Sequence, residues 1–279
     1  MSDSTTGTAR TKDGCLLAYE IQPNAEKPRL VLIHSLGLSR AIWRAVASEL
    51  GGDMEILTYD CRGHGQSDRW VGVYTPQLFA DDLAALLDSC GWSSVTLAGC
   101  SMGGMVAQAF ASACPHRAHG LALIDTTAWY GPTAEQDWSA RAMKAAEDGF
   151  ASMVSFQTRR WFSDRFRETH PQHVEELTRI FLANEIPCYR ATCEMLGSAD
   201  LRETTRALRL PVSVVVGEED QATPIAMSES LHEMLPGSTL TIIPGGRHLT
   251  PVQCPTEIAQ LLRNLVSNRT PVGTARNLA

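Results

Sequence analysis

Apolar residues along this chain follow two rhythms that take turns. Short, nearly continuous runs stand at 29–33 (Arg-Leu-Val-Leu-Ile), 54–59, 94–98 and 120–124 (Gly-Leu-Ala-Leu-Ile). Between them the apolar positions fall three or four apart: Ile42, Trp43, Val46 and Leu50 within 39–50, then Leu78, Leu83, Leu86 and Leu87 within 76–89, and again over 102–113. The short runs suit strands buried on both faces, and the wider spacing suits helices with one apolar stripe. Their alternation predicts an α/β fold, a mostly parallel, doubly wound sheet covered by helices on both sides.

The rhythm breaks after Asp125. Residues 126–207 carry helical spacing and no convincing strand, and the strand signal returns at 212–216 (Val-Ser-Val-Val-Val). A helix at about 224–235, a strand at 238–243 and a helix near 255–267 complete the pattern. Asp13-Gly14 is a hairpin signal between two short strand-like stretches near the start. The expected organisation is therefore a core formed by 1–125 and 208–279, with a helical cap over 126–207 inserted after the sixth strand. An insert that leaves from a strand end lies over the edge where open α/β sheets bind ligands. Residues 1–8 and 268–279 are small or polar and read as unstructured.

Composition narrows the classes. The chain has 279 residues, 44% apolar and 20% charged, with a net charge of −7. No block of Lys and Arg offers a footprint for nucleic acid or an anionic membrane. No basic leader precedes an apolar stretch, and no apolar run approaches the ~20 residues of a membrane span. The eight cysteines have irregular spacing and no CxxC pair, which reads as reduced thiols in a cytoplasmic protein. No His/Cys/Asp cluster has metal-ligand spacing, and the glycine-rich 60–68 loop lacks a nucleotide fingerprint. Neither metal nor cofactor is expected, and homo-oligomerisation is left open.

The chemistry-bearing signal is Gly99-Cys100-Ser101-Met102-Gly103, followed by Gly104. It joins a predicted strand to a predicted helix, the context in which GxSxG forms a tight turn that exposes the serine hydroxyl. A serine needs a base, and the base needs an orienting acid, in the chain order Ser, Asp or Glu, His. Gly217-Glu218-Glu219-Asp220 follows one strand and Gly245-Gly246-Arg247-His248 follows the last. Ser101, Asp220 and His248 are the expected triad. Glu218, Glu219 and above all Asp125 are alternative acids, and Asp125 has a second reading as a cap for the start of the insert. The backbone N–H groups of Met102 and of Leu36, in His34-Ser35-Leu36-Gly37, are the expected oxyanion donors. Cys100 is expected to be a buried, inert thiol.

These motifs resemble the α/β-hydrolases across the whole core. Within them the chain is most similar to the 3-oxoadipate enol-lactonases, through Ser35-Leu36-Gly37, Ser101-Met102-Gly103-Gly104-Met105, Arg160-Trp161-Phe162, and Cys193-Glu194 leading to Ala199-Asp200-Leu201-Arg202. It departs from them at Cys100, where they usually carry Leu, and at Asp125, where they commonly carry Asn. The resemblance implies a small-molecule ester or lactone substrate with a carboxylate, for which Arg141, Arg159 and Arg160 are candidate partners. Trp129, Tyr130, Arg160, Trp161 and Leu249 are the expected pocket residues; for Trp129, Tyr130, Trp161 and Phe162, packing cap onto core is the competing role. The same triad also serves C–C bond hydrolysis and cofactor-free perhydrolysis. A third reading is a ligand receptor on a hydrolase fold with little turnover.

Overall fold

A computed structural model describes residues 4–267. Among them eight strands form one sheet: β1 (Thr5–Arg10), β2 (Leu16–Gln22), β3 (Arg29–Ile33), β4 (Glu55–Tyr59), β5 (Val95–Cys100), β6 (Ala118–Ile124), β7 (Val212–Gly217) and β8 (Thr239–Ile243). Their order across the sheet is β1-β2-β4-β3-β5-β6-β7-β8. β2 runs antiparallel to both neighbours, and every other pairing is parallel. All residues of β5 and β7 are buried, which is why these segments read as unbroken apolar runs.

Twelve α-helices accompany the sheet among the described residues. α1 (Arg44–Glu49), α2 (Pro76–Ser89) and α3 (Met102–Ala113) lie before β6 in the chain, and α10 (Ile225–Met234), α11 (Thr250–Gln253) and α12 (Pro255–Ser267) follow β7. α2 starts where its sequence says it should. Thr75 is extended and its side chain accepts the Leu78 N–H, with Pro76 at the first helical position. Residues 39–50 differ from expectation by opening as a 3-10 turn, Arg40–Trp43, before α1 begins. The Ser39 side chain accepts the Ala41 N–H and sets that tighter start.

Between β6 and β7 stand α4 (Ala134–Asp148), α5 (Val154–Trp161), α6 (Asp164–Thr169), α7 (Pro171–Leu182), α8 (Ile186–Ser198) and α9 (Arg202–Arg206). The one extended pairing here among the described residues is an isolated bridge between Trp129 and Asp200. This segment has an aromatic cluster of its own. Phe150 meets Phe181 and Tyr189 edge-on at 5.2 and 5.1 Å, and Trp161 meets Phe181 at 5.6 Å.

The expectation that residues 1–8 are unstructured fails for 5–8, which belong to β1. The register Thr5–Ile21 to Arg10–Leu16 makes this an edge strand. An edge strand needs its backbone bonds and little burial, so small polar residues suffice. The hairpin is tied down from within. Arg62 is buried and donates to both oxygens of Asp82, at 2.6 and 2.5 Å, and to Asp13 in the β1–β2 turn at 2.9 and 3.2 Å. The expected loose tail, 268–279, lies outside the described residues. No described helix is long and apolar enough to cross a membrane.

Candidate active site

β3, β5 and β6 end side by side, and the chain leaves β3 in one direction across the sheet and β5 in the other. That divergence opens a crevice at the carboxyl ends of the strands. Ser101 sits there, between β5 and α3, with φ 56 and ψ −116. A non-glycine residue in that region is strained and persists only where its surroundings over-determine it. Here they do. Ser101 N–H donates to Ile124 O at 2.9 Å, and the Thr126 hydroxyl donates to Ser101 O at 2.6 Å. A Cβ on Gly99 would lie 2.1 Å from Gly103 O, and one on Gly103 would lie 2.2 Å from Ile33 O. The glycines of the motif are therefore required by backbone contact, and they press the first turn of α3 against the end of β3.

The Ser101 hydroxyl lies 2.9 Å from His248 Nε2, and His248 Nδ1 lies 2.9 Å from Asp220 Oδ2. Asp220 is held in turn. Its Oδ1 accepts the Ala222 and Thr223 N–H groups at 2.7 and 3.0 Å, and the Thr223 hydroxyl donates to Oδ2 at 2.8 Å. Burial pushes the Asp220 carboxyl up, but His248 and the Thr223 donors outweigh it and hold the group below the usual carboxylate range. All three residues are at most 6% exposed.

The competing acids are engaged elsewhere. Glu218 accepts the Gly245 N–H and Glu219 pairs with Arg247. Asp125 does not cap the insert. Its Oδ1 accepts Gly217 N–H at 3.0 Å, and its Oδ2 accepts the Thr250 N–H and hydroxyl at 3.0 and 2.7 Å. It is a buried knot joining the ends of β6 and β7 to the start of α11. Burial, reinforced by Asp220, pushes its carboxyl well up. Cys100 is fully buried and its thiol is likewise pushed up by burial, as an inert thiol should be.

The two backbone amides expected to receive an oxyanion lie at the start of α3 and in the loop after β3. Met102 is the first residue of α3, so its N–H has no acceptor within the helix. Leu36 lies in the loop after β3, which turns at Gly37 with φ 69 and spends the Leu38 N–H on Ser35 O at 3.2 Å. Beneath that loop His34 accepts the Cys61 N–H on Nε2 at 2.9 Å and donates from Nδ1 to Ser35 O at 2.8 Å. This pattern fixes a neutral tautomer, and burial lowers the His34 pKa to about 4.

The residues expected to line the pocket take different positions. Tyr130 is half-buried and its ring meets Trp138 edge-on with centroids 5.0 Å apart. Arg160 is half-buried, donates to Gln221 O at 3.1 Å and lies over Phe156. Trp161 and Leu249 are buried in packing, and Trp129 lies beneath the Arg202 guanidinium at 3.7 Å. Arg159 is exposed, whereas Arg141 donates to the Tyr189 hydroxyl at 2.8 Å and lies 5.0 Å over Trp138. Burial lowers the Arg160 pKa, and the Arg141 charge adds to that effect. Two backbone bonds stitch the insert to the histidine loop: His248 N–H to Arg160 O at 3.4 Å, and Leu249 N–H to Trp161 O at 3.2 Å.

Sequence reasoning missed Thr223, Thr126 and Thr250, which orient the acid, the elbow and the Asp125 knot. Thr223 alone had a local signal, since a residue three beyond an Asp is placed to close a turn on its carboxylate.

A model of the alpha/beta hydrolase family matches residues 30–261. The chain is 31% identical to 3-oxoadipate enol-lactonase 2 of Acinetobacter baylyi over 245 residues, covering 88% of this chain and 91% of that protein. Among solved structures it resembles the enol-lactonase from Burkholderia xenovorans LB400, with a TM-score of 0.89, 25% identity, and coverage of 94% of this chain and 100% of that one. A thermophilic esterase from Thermogutta terrifontis gives a TM-score of 0.88 at 28% identity, covering 95% and 100%. With its fold, its elbow and these relatives taken together, the chain belongs to the alpha/beta hydrolase family.

Proposed function

We propose that the protein hydrolyses a carboxylic ester or lactone, enol-lactonase-like in its substrate, through a Ser101–His248–Asp220 triad and an acyl-enzyme. The observation that carries this reading is the unbroken chain of 2.9 Å contacts from the strained Ser101 through His248 to Asp220. His248 Nε2 takes the hydroxyl proton as Ser101 Oγ attacks the carbonyl carbon. Asp220 stabilises the imidazolium and fixes its tautomer. The Leu36 and Met102 amides receive the oxyanion. His248 returns the proton to the departing alkoxide, which in a lactone stays tethered to the acyl group. Water then attacks the acyl carbon, with His248 again as base, and Ser101 is released.

Two features favour a substrate that carries an anionic group apart from the scissile carbonyl. Arg141 stands close enough to Arg160 for its charge to add to the burial that lowers the Arg160 pKa. Neither forms an ion pair among the described residues; their hydrogen bonds go to a phenol and a carbonyl. Desolvated guanidinium groups without carboxylate partners suit a carboxylate brought by the substrate. In this reading the helical segment 126–207 is a cap domain carrying the specificity groups over a core of 1–125 and 208–279.

The test is hydrolysis of a panel of lactones with pendant carboxylates against linear methyl esters of equal length. A preference of ~10-fold or more for the lactones, about 1.4 kcal/mol in transition-state binding, is expected. Equal rates would remove the lactonase reading. Turnover retained by Ser101→Ala would remove the triad.

A further inference from the structure

Gln157 stands where packing alone would place an apolar residue. It is the middle member of the inward stripe of α5, one turn after Met153 and one turn before Trp161, and it is 1% exposed. The opposite side of the same helix carries the exposed Ser155, Phe156 and Arg159. The Gln157 Nε2 is buried and has no hydrogen-bond partner among the described residues. A buried amide without a partner lowers stability, and an apolar side chain of the same shape would remove that penalty. The residue makes sense where a ligand brings the missing acceptor.

The packing of α5 says where that ligand lies. The end of the helix is tied to the histidine loop through the Arg160 and Trp161 carbonyls, and Arg160 reaches Gln221 O, next to Asp220. On the inward side Trp161 meets Phe181. Phe181 and Tyr189 in turn cover the loop after β3, since a Cβ on Gly37 would lie 3.0 Å from Phe181 and 3.3 Å from Tyr189. Asn184 Nδ2 also donates to Gly37 O, at 2.8 Å. These two loops flank Ser101: His248 bonds its hydroxyl, and a Cβ on Gly103 would lie 2.8 Å from His34 O. The stripe that holds Gln157 thus runs between the histidine loop and the aromatic cluster over the Gly37 loop.

We infer that Gln157 is a specificity-determining residue, whose Nε2 donates to an acceptor oxygen on the acyl chain of the substrate, away from the scissile carbonyl. This rests on the ester or lactone hydrolase reading above. The acceptor is a carbonyl or carboxylate oxygen, because Nε2 carries only protons to give. A primary amide is neutral, so it takes either oxygen without needing a counter-charge. Such a bond lies outside the reacting atoms and is made equally in the ground and transition states. Its loss therefore raises KM and leaves kcat nearly unchanged.

The experiment compares wild type with Gln157→Met and Gln157→Leu on the p-nitrophenyl esters of pentanoic, levulinic and glutaric acid. The three acyl chains have equal length and end in a hydrocarbon, a ketone and a carboxylate. Both variants are expected to raise KM by about 10-fold on at least one acceptor-bearing ester. KM on the pentanoate should stay within about 2-fold of wild type. A loss on the levulinate alone assigns the neutral carbonyl, and a loss on the glutarate alone assigns the carboxylate. Thermal unfolding of the Met variant should occur at least about 2 °C above wild type, since the unpaired amide is gone. Equal loss on all three esters with a lowered Tm would make Gln157 a packing residue. Unchanged KM on all three would remove the role. Wild-type protein that turns over none of the esters would overturn the hydrolase reading along with this one, whereas turnover of all three with no selective loss in either variant would overturn this inference alone.

Discussion

Asp125 and Thr250 are bound twice through one oxygen, by the threonine N–H at 3.0 Å and its hydroxyl at 2.7 Å, two residues beyond His248. With Gly217 on the other oxygen, three buried donors depend on this carboxyl. Asp125→Ala should leave two backbone N–H groups buried without acceptors, at about 1–3 kcal/mol each. Asp125→Asn keeps one acceptor oxygen and should lose less. Urea denaturation orders the two, and equal loss in both would count against the knot.

The elbow predicts a sharp contrast between two glycines. A Cβ on Gly103 would lie 2.2 Å from Ile33 O, whereas one on Gly72 meets nothing within 4 Å. Gly103→Ala should cost at least about 3 kcal/mol or fail to fold, because the clash is with backbone. Gly72→Ala should remain within about 0.5 kcal/mol of wild type. Thermal unfolding of the pair separates a local backbone constraint from a general cost of added bulk.

Acid should loosen the loops under the site. His34 and His64 are held near pKa values of about 4 and about 3, first by burial, against an unfolded value of ~6.5. Between about pH 6.5 and about 3 the unfolded chain therefore binds more protons than the folded one. Stability is full above that window and falls as pH drops through it. Denaturant midpoints taken from neutral pH down to about pH 4 should decline, and His64→Gln should flatten the slope. A slope the variant leaves unchanged would assign the acid sensitivity to other groups.

Arg141 offers a kinetic signature of substrate charge. Arg141→Gln should raise KM by about 10-fold for a lactone carrying a carboxylate, since a charge-assisted hydrogen bond is lost. The same lactone as its methyl ester should show almost no change. A matching loss on both substrates would mean that Arg141 serves Tyr189 and packing, not an anion.

Most of the core was legible because buried parallel strands and one-sided helices leave different periods in the sequence. The elbow was legible because its glycines answer to backbone contacts that no other residue meets. Asp220 and Asp125 fit the chain order equally well, each after a strand between Ser101 and His248, and what Asp125 does instead depends on Thr250, which lies 125 positions away. The hairpin around Asp13-Gly14 was legible, but residues 5–8 of β1 were missed because an edge strand is held by backbone bonds and asks little of its side chains. Arg159 and Arg160 could not be told apart by residue type. Successive residues on a helix point about 100° apart, so one is exposed and its neighbour turns inward.

The two bonds from Arg160 and Trp161 to His248 and Leu249 have a consequence for redesign. Selectivity and turnover share a tether on that side of the molecule. Libraries that randomise 160–161 to admit new substrates will also shift the imidazole, and most gains in scope there should come with slower catalysis. Trp138 and Arg141, on α4, make no such bond to the histidine loop among the described residues. Changes there leave the backbone tether of His248 in place, so they are expected to alter substrate choice with less effect on the imidazole.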